Sequence, residues 1–300
     1  MKNLKQVFMI LILLVPTLVF AQQQVDTQVE LSDEEKYNQW AQQVWDSLVR
    51  QTGEIKLDNA VATLNVPENF YYLSPSDADK VLVDVWGNPP GQKTLGMLFP
   101  ASMTPFDADS WAVTIEYEED GYVSDADAED IDYSELLVQM KEDTALASQE
   151  RVKQGYGEIA LVGWASQPFY EKEAHKLHWA KEIKFGESPV NTLNYNIRVL
   201  GRKGVLVLNF IAQIDQKDLI AAELDSVLAI ADFNPGAKYS DFNPELDEVA
   251  AYGLGALVAG KVIAKTGFLA AAIIFLKKFG VIFVIAIGAF LKRIFTRKAT

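Results

Sequence analysis

Two histidines, 41 acidic side chains and no cysteine bound the chemistry open to this chain of 300 residues. Without cysteine there is no disulfide, thiolate metal ligand or cysteine nucleophile. Two imidazoles cannot build a three-histidine metal site. The run Asp125-Ala126-Asp127-Ala128-Glu129-Asp130 spaces its acids as a calcium loop does. It has Asp130 where the sharp turn needs glycine and Leu136 where the bidentate glutamate belongs, so an acidic helix start favoured by the helix dipole is the plainer reading. His175 and His178 would share a face only on a helix; the alternation Lys176-Leu177-His178-Trp179 predicts a strand, which sends them to opposite faces. Gly91-Gln92-Lys93-Thr94 has glutamine where a phosphate loop needs glycine before its lysine, and no serine sits in a Gly-x-Ser-x-Gly elbow. Paired carboxylates remain: Glu116, Glu118 and Glu119, or Glu171 and Glu173, could act as acid and base. A chain this acidic also produces such pairs by chance on solvated faces. The expectation is therefore no catalytic residue, no metal and no cofactor. Trp86-Gly87-Asn88-Pro89-Pro90 is different, because five rigid residues exceed what a turn between helix and strand needs. They are the candidate ligand or partner surface, against the simpler reading of a helix stop with Trp86 in the core.

The elements that must position these residues read clearly in the middle of the chain. Ser32 to Glu35 is a capping box opening a helix with Trp40, Val44 and Leu48 on one face. Residues 55–57, 60–66 and 70–73 read as strands, and Ser74-Pro75 opens a helix with Ala78, Val81, Leu82, Val85 and Trp86 on its apolar stripe. Residues 94–99 and 111–117 are strands, and Tyr133 to Lys153 is a helix. Strands follow at 158–164, 176–185, 192–200 and 205–212, the last two joined by the tight turn Gly201-Arg202-Lys203-Gly204. Asp215 is expected to cap a final helix through Ile230. Strands in series with helices packed on them predict an α+β fold, a largely antiparallel, sandwich-like sheet, followed by one or more C-terminal transmembrane helices.

Charge is distributed in blocks. The 41 acids against 27 bases give −14, which argues against nucleic acid as a partner. All acids lie between Asp26 and Glu248; with two bases before them and eight after, the middle keeps 17 bases and a net −24. Residues 1–21 read as a secretory signal: Lys2 and Lys5, an apolar run from Val7 to Val15, and small residues ahead of Gln22. Residues 22–250 form the exported acidic domain and 251–300 a membrane anchor with a basic end. Phe279 to Leu291 reaches only about 20 Å as a helix, short of a ~30 Å bilayer core. Thr266 to Leu291 spans it, with Lys277 and Lys278 near the centre at roughly +3 kcal/mol each. One crossing with a cytoplasmic C-terminus is preferred over a hairpin, which would leave Lys292, Arg293, Arg297 and Lys298 outside. Ala256, Gly260 and Ala264, four residues apart, suit close helix packing in the membrane; a flexible amphipathic connector fits as well.

Several runs carry a family resemblance: Leu64-Asn65-Val66-Pro67-Glu68-Asn69-Phe70, Trp86 to Pro90, Leu95-Gly96-Met97-Leu98-Phe99-Pro100, Gly163-Trp164-Ala165, Leu177-His178-Trp179-Ala180 and the stretch Leu193 to Arg202. They resemble the bacterial membrane-anchored proteins of domain-of-unknown-function family 2167. The resemblance implies an exported domain with a C-terminal anchor and brings no activity or cofactor. The final strand-turn-strand-helix also resembles the photosystem PsbP and Mog1 group of α/β/α binding modules. Together these lead to an expected interaction or ligand-binding module on the periplasmic side of a bacterial inner membrane. Its partners would be the bilayer and, through the tail, a second copy or another membrane protein. An envelope hydrolase using paired carboxylates is the alternative.

Overall fold

The computed structural model describes residues 31–57 and 61–260. The chain divides into two compact units, residues 1–42 and 43–300. In the first, Ser32 and Glu35 close the expected capping box: Glu35 N–H donates to Ser32 Oγ at 3.2 Å and Ser32 N–H to the Glu35 carboxylate at 2.8 Å. The helix they open, α1 (Asp33–Ser47), has no fully buried residue; of its predicted apolar face only Leu48, just past its end, is buried.

The second unit then runs β1 (Gly53–Lys56), β2 (Ala62–Val66), β3 (Phe70–Leu73), α2 (Pro75–Lys80) with a π turn over Val81–Val85, β4 (Gly96–Pro100), β5 (Ala112–Glu118) and β6 (Tyr122–Ser124). It continues through α3 (Tyr133–Lys153), β7 (Ile159–Glu171), β8 (Lys176–Phe185), β9 (Thr192–Leu200), β10 (Val205–Gln213), α4 (Lys217–Ile230), β11 (Ala231–Phe233), β12 (Val249–Gly253) and α5 (Leu254–Ala259). The main sheet has seven strands in the order β3-β4-β5-β10-β9-β8-β7, all neighbours antiparallel. A three-stranded antiparallel sheet β1-β2-β11 and a parallel pair β12-β6 complete it. The predicted α+β, mostly antiparallel class therefore holds for the described residues.

Alternation along the strands divides the core by face. On one face, Val113, Ile115, Leu206, Leu208, Phe210, Leu193 and Ile197 pack with Leu64 of the small sheet and Ile220, Val227 and Ile230 of α4. The other face carries two separate clusters. Over β3 to β5, Leu73, Met97 and Phe99 meet Ala78, Val81 and Leu82. Over β7 to β10, Leu161, Leu177, Trp179 and Val207 meet Met140 of α3 and Leu254, Leu257 and Val258 of α5.

Some expectations are corrected. Asp215 does not cap α4: it lies in a 3₁₀ turn over Ile214–Gln216, and Gln213 and Gln216 cap that turn reciprocally, Gln213 N–H donating to Gln216 Oε1 at 2.9 Å. Around the expected boundary at residue 250, β12 spans Val249–Gly253, and α5 after it buries Leu254, Leu257 and Val258. The proposed transmembrane segment, the leader 1–21 and Ala264 lie outside the described residues; among those described, no helix is long and apolar enough to cross a membrane. Ala256 lies in α5, whereas Gly260 leaves that helix at φ +89°, so one helix does not carry their spacing here.

Phe210 is wholly buried at the centre of the larger cluster, stacked near Trp111 (6.1 Å) and edge-on to Tyr195 (6.1 Å). Phe210→Ala should lower the unfolding free energy by about 3–5 kcal/mol. Val138→Ala, at a side chain 60% exposed on α3, should change it by less than about 0.5 kcal/mol. Urea denaturation of both variants checks this.

Candidate functional site

The strands β7 and β8 meet in a hairpin whose last turn residue, His175, has φ +51°, the only positive φ outside glycine among the described residues. Such a backbone costs roughly 1–3 kcal/mol and persists only where its surroundings enforce it. Here His175 O accepts from Leu200 N–H at 2.9 Å, its Nδ1 lies 3.2 Å from the Tyr170 hydroxyl, and its ring tilts against Tyr239 at 4.2 Å. Tyr170 donates its hydroxyl proton to Asp125 Oδ2 at 2.8 Å, and that oxygen is 3.9 Å from His175 Nδ1. Tyr122 lies between Tyr239 (4.4 Å) and Phe242 (3.9 Å) in a stack that backs the cluster, and Tyr239 donates to Val123 O at 3.1 Å.

Asp125 belongs to the acidic loop between β6 and α3, and turns within the loop point its acids in different directions. Ala128 N–H returns to Asp125 O and Asp130 N–H to Asp127 O. Asp132 is the N-cap of α3, its carboxylate accepting from Ser134 and Glu135 N–H at 2.9 and 3.1 Å. Asp127 accepts from Leu254 N–H (3.0 Å) and Gly255 N–H (3.4 Å), capping α5 from a distant part of the chain. The loop's other acids face a cleft of about 570 Å³, lined by Asp125, Glu129, Asp130, Tyr133, Phe169 and Tyr170. A second cleft of about 570 Å³ contains His175, Tyr239, Phe233 and the Asp232–Lys238 ion pair, 3.1 Å long. The Asp125–Tyr170–His175 unit thus contributes walls to both.

Burial, then hydrogen bonding, pushes the Tyr170 and Tyr239 phenols far above their ordinary range, so at neutral pH both are neutral donors rather than bases or nucleophiles. The unit can orient a ligand; it offers no activated nucleophile.

The two histidines do go to different places. His178 is buried on the face that α4 covers, stacked on Phe169 (4.7 Å) and 3.7 Å from Glu171 Oε2. The carboxylate pairs considered in the sequence are not gathered in one cleft. Glu116 and Glu118 lie on β5, Glu171 faces His178, and Glu173 lines the second cleft. Trp86 donates its indole N–H to Pro105 O at 3.0 Å and tilts against Phe99 at 5.9 Å; Gly87 turns the chain at φ +66°; Asn88 donates from backbone and side chain to Leu82 O. None of Trp86 to Pro90 lines the clefts described here. Nothing in the sequence marks Tyr170 and Tyr239, since only the fold brings them beside Asp125 and His175.

Burial first, with Lys176 adding to it, holds the His178 imidazole below its usual pKa, against the pull of Glu171 and of Asp225 from α4. Protonation is then harder in the folded state than in the unfolded chain, so stability should fall as the pH drops through about 6.5 toward the lower folded value. His178→Phe, which keeps the stack on Phe169, should flatten that slope between about pH 7 and 5 in denaturant titrations.

Comparison with known proteins adds a family but no activity. The family model described as protein of unknown function (DUF2167) matches residues 49–288. No curated protein matches the sequence. Among solved structures, the solution structure of the cyanobacterial PsbP protein CyanoP from Synechocystis sp. is similar at 12% identity and a TM-score of 0.33, covering 63% of this chain and 93% of its own.

Proposed function

The chain belongs to the DUF2167 family of proteins of unknown function, and we propose that it is an exported, membrane-tethered ligand-binding module whose site is the first of the two clefts. The observation that carries this reading is the Asp125–Tyr170–His175 unit, held against backbone strain between two clefts without an activated nucleophile. Carboxylates from Asp125, Glu129 and Asp130 beside the rings of Tyr133, Phe169 and Tyr170 suit a cationic ligand, an amine or guanidinium that sets its charge over the rings and its N–H groups on the oxygens. In this proposal the leader exports the domain to the periplasm of a bacterium. Residues beyond 260 tether it to the inner membrane with the C-terminus cytoplasmic, and the tail assembles with itself or another membrane protein. The acidic loop links the two ends of the task, because Asp125 lines the cleft while Asp127 caps the helix from which the tail departs.

Spermidine and a diarginine peptide are suitable probes for calorimetric titration of the full chain. Saturable binding should weaken strongly between about 0.05 and 0.5 M salt. It should fall at least fivefold in Tyr170→Phe and in Glu129→Gln, a residue on the cleft lip. Affinity unchanged in both variants, or no saturable binding at low salt, would contradict the assignment.

A further inference from the structure

Away from this site, two buried hydrogen-bond donors without acceptors and a lysine gather on the other side of the β7–β8 region. Lys181 and Trp179 lie two residues apart on one face of β8. Trp179 is 1% exposed and its indole N–H has no partner. The Arg198 guanidinium, from neighbouring β9, sits 5.0 Å above the Trp179 ring, and its buried Nε–H is also unpartnered. Among the described residues no carboxylate lies within ion-pair distance of Lys181. It lines a cleft of about 320 Å³ between α3 and strands β7 and β8, whose walls are largely apolar: Met140, Leu161, Ile183 and Ala259. The one acid among the lining residues, Asp143, is exposed on α3.

Two cations near each other in an apolar setting are unfavourable for the folded protein. Burial, with Arg198's charge adding to it, lowers the Lys181 ammonium to about 8. Glu118 and Glu116 on β5, with Tyr252, act on Arg198 in the opposite sense, against its own burial. A counter-charge supplied from outside would relieve Lys181. The volume is at the lower end for ligand pockets (~300–1,000 Å³), and suits a short, narrow molecule.

We infer that this cleft binds an amphiphile with a single anionic head, its acyl chain between Met140, Leu161 and Ile183 and its carboxylate or phosphate on Lys181 with Arg198 behind. The site is separate from the cation cleft proposed above and stands or falls independently of it. Charge complementarity selects the head, and the apolar walls select the chain.

Decanoate, decyl phosphate, decanol and decyltrimethylammonium, titrated into the full chain, separate these contributions. Decanoate and decyl phosphate should bind one to one, at least tenfold tighter than decanol, and the cationic analogue should not compete. Lys181→Met should remove most of the preference for decanoate over decanol, while Lys181→Arg should keep it. Decanoate should also slow reductive methylation of Lys181 near pH 8, read by mass spectrometry on the unaltered protein, and decanol should not. If phosphatidylglycerol vesicles displace decanoate, the natural source is a membrane lipid; if they do not, it is a free acid. Decanoate binding that is unchanged in Lys181→Met, or a Lys181 methylation rate unmoved by saturating decanoate, would overturn the inference.

Discussion

Asp125 and Asp127 stand two residues apart on one loop and hold different parts of the molecule. Asp125 accepts the Tyr170 hydroxyl hydrogen bond beside the strained hairpin at His175; Asp127 accepts from the first amides of α5. A helix of six residues is too short to stand by itself. It forms because a carboxylate satisfies its leading N–H groups and because Leu254, Leu257 and Val258 are buried. Gly253 is required at the junction, since a Cβ there would run into the Asp127 carboxylate. Tyr252, one residue earlier, is tied to Asp120 at 2.6 Å, so the chain leading to α5 is fastened along the whole acidic segment.

The same economy explains why acids this dense do not unravel the region. A net −24 over the body repels itself, and the acidic loop is where that repulsion would be expected to concentrate. Asp125, Asp127 and Asp132 each accept a hydrogen bond from a hydroxyl or from backbone N–H groups, converting charge into fixed geometry. Glu129 and Asp130 remain on the cleft wall, where an incoming cation would neutralise them. The loop is thus a structural joint whose remaining acids line a cleft.

Much of the fold could be read from periodicity. The helix Tyr133–Lys153 and the strands 176–185 and 192–200 stand where their patterns put them; in the strands both faces carry buried residues, so each reads as a long extended run. Strand β7 is longer than its pattern predicts. It runs on to Glu171, but register shifts near Gly163 and before Phe169, with Pro168 inside it, break the alternation that signals a strand. The pair β6 and β12 has no local signature in the sequence, being strands of three and five residues 125 positions apart. At the site, the acidic loop and His175 stood out as residue types. Their meaning came only with Tyr170 and Tyr239, ordinary aromatic positions until the hairpin folds back. In the stretch Trp86 to Pro90, Trp86 tilts against Phe99 and Asn88 closes the helix end on Leu82 O, a local packing its residue types already suggest.

In the proposed function, the acidic loop couples occupancy of the cleft to the first turn of α5. Hydrogen exchange at the Leu254 and Gly255 amides of the full chain, with and without saturating spermidine, tests it most directly. The account predicts that spermidine slows exchange at these two amides in the unaltered protein, and that Asp127→Ala abolishes the slowing while leaving spermidine affinity nearly unchanged. Equal exchange rates with the cleft empty and filled, in protein shown to bind spermidine, would contradict it.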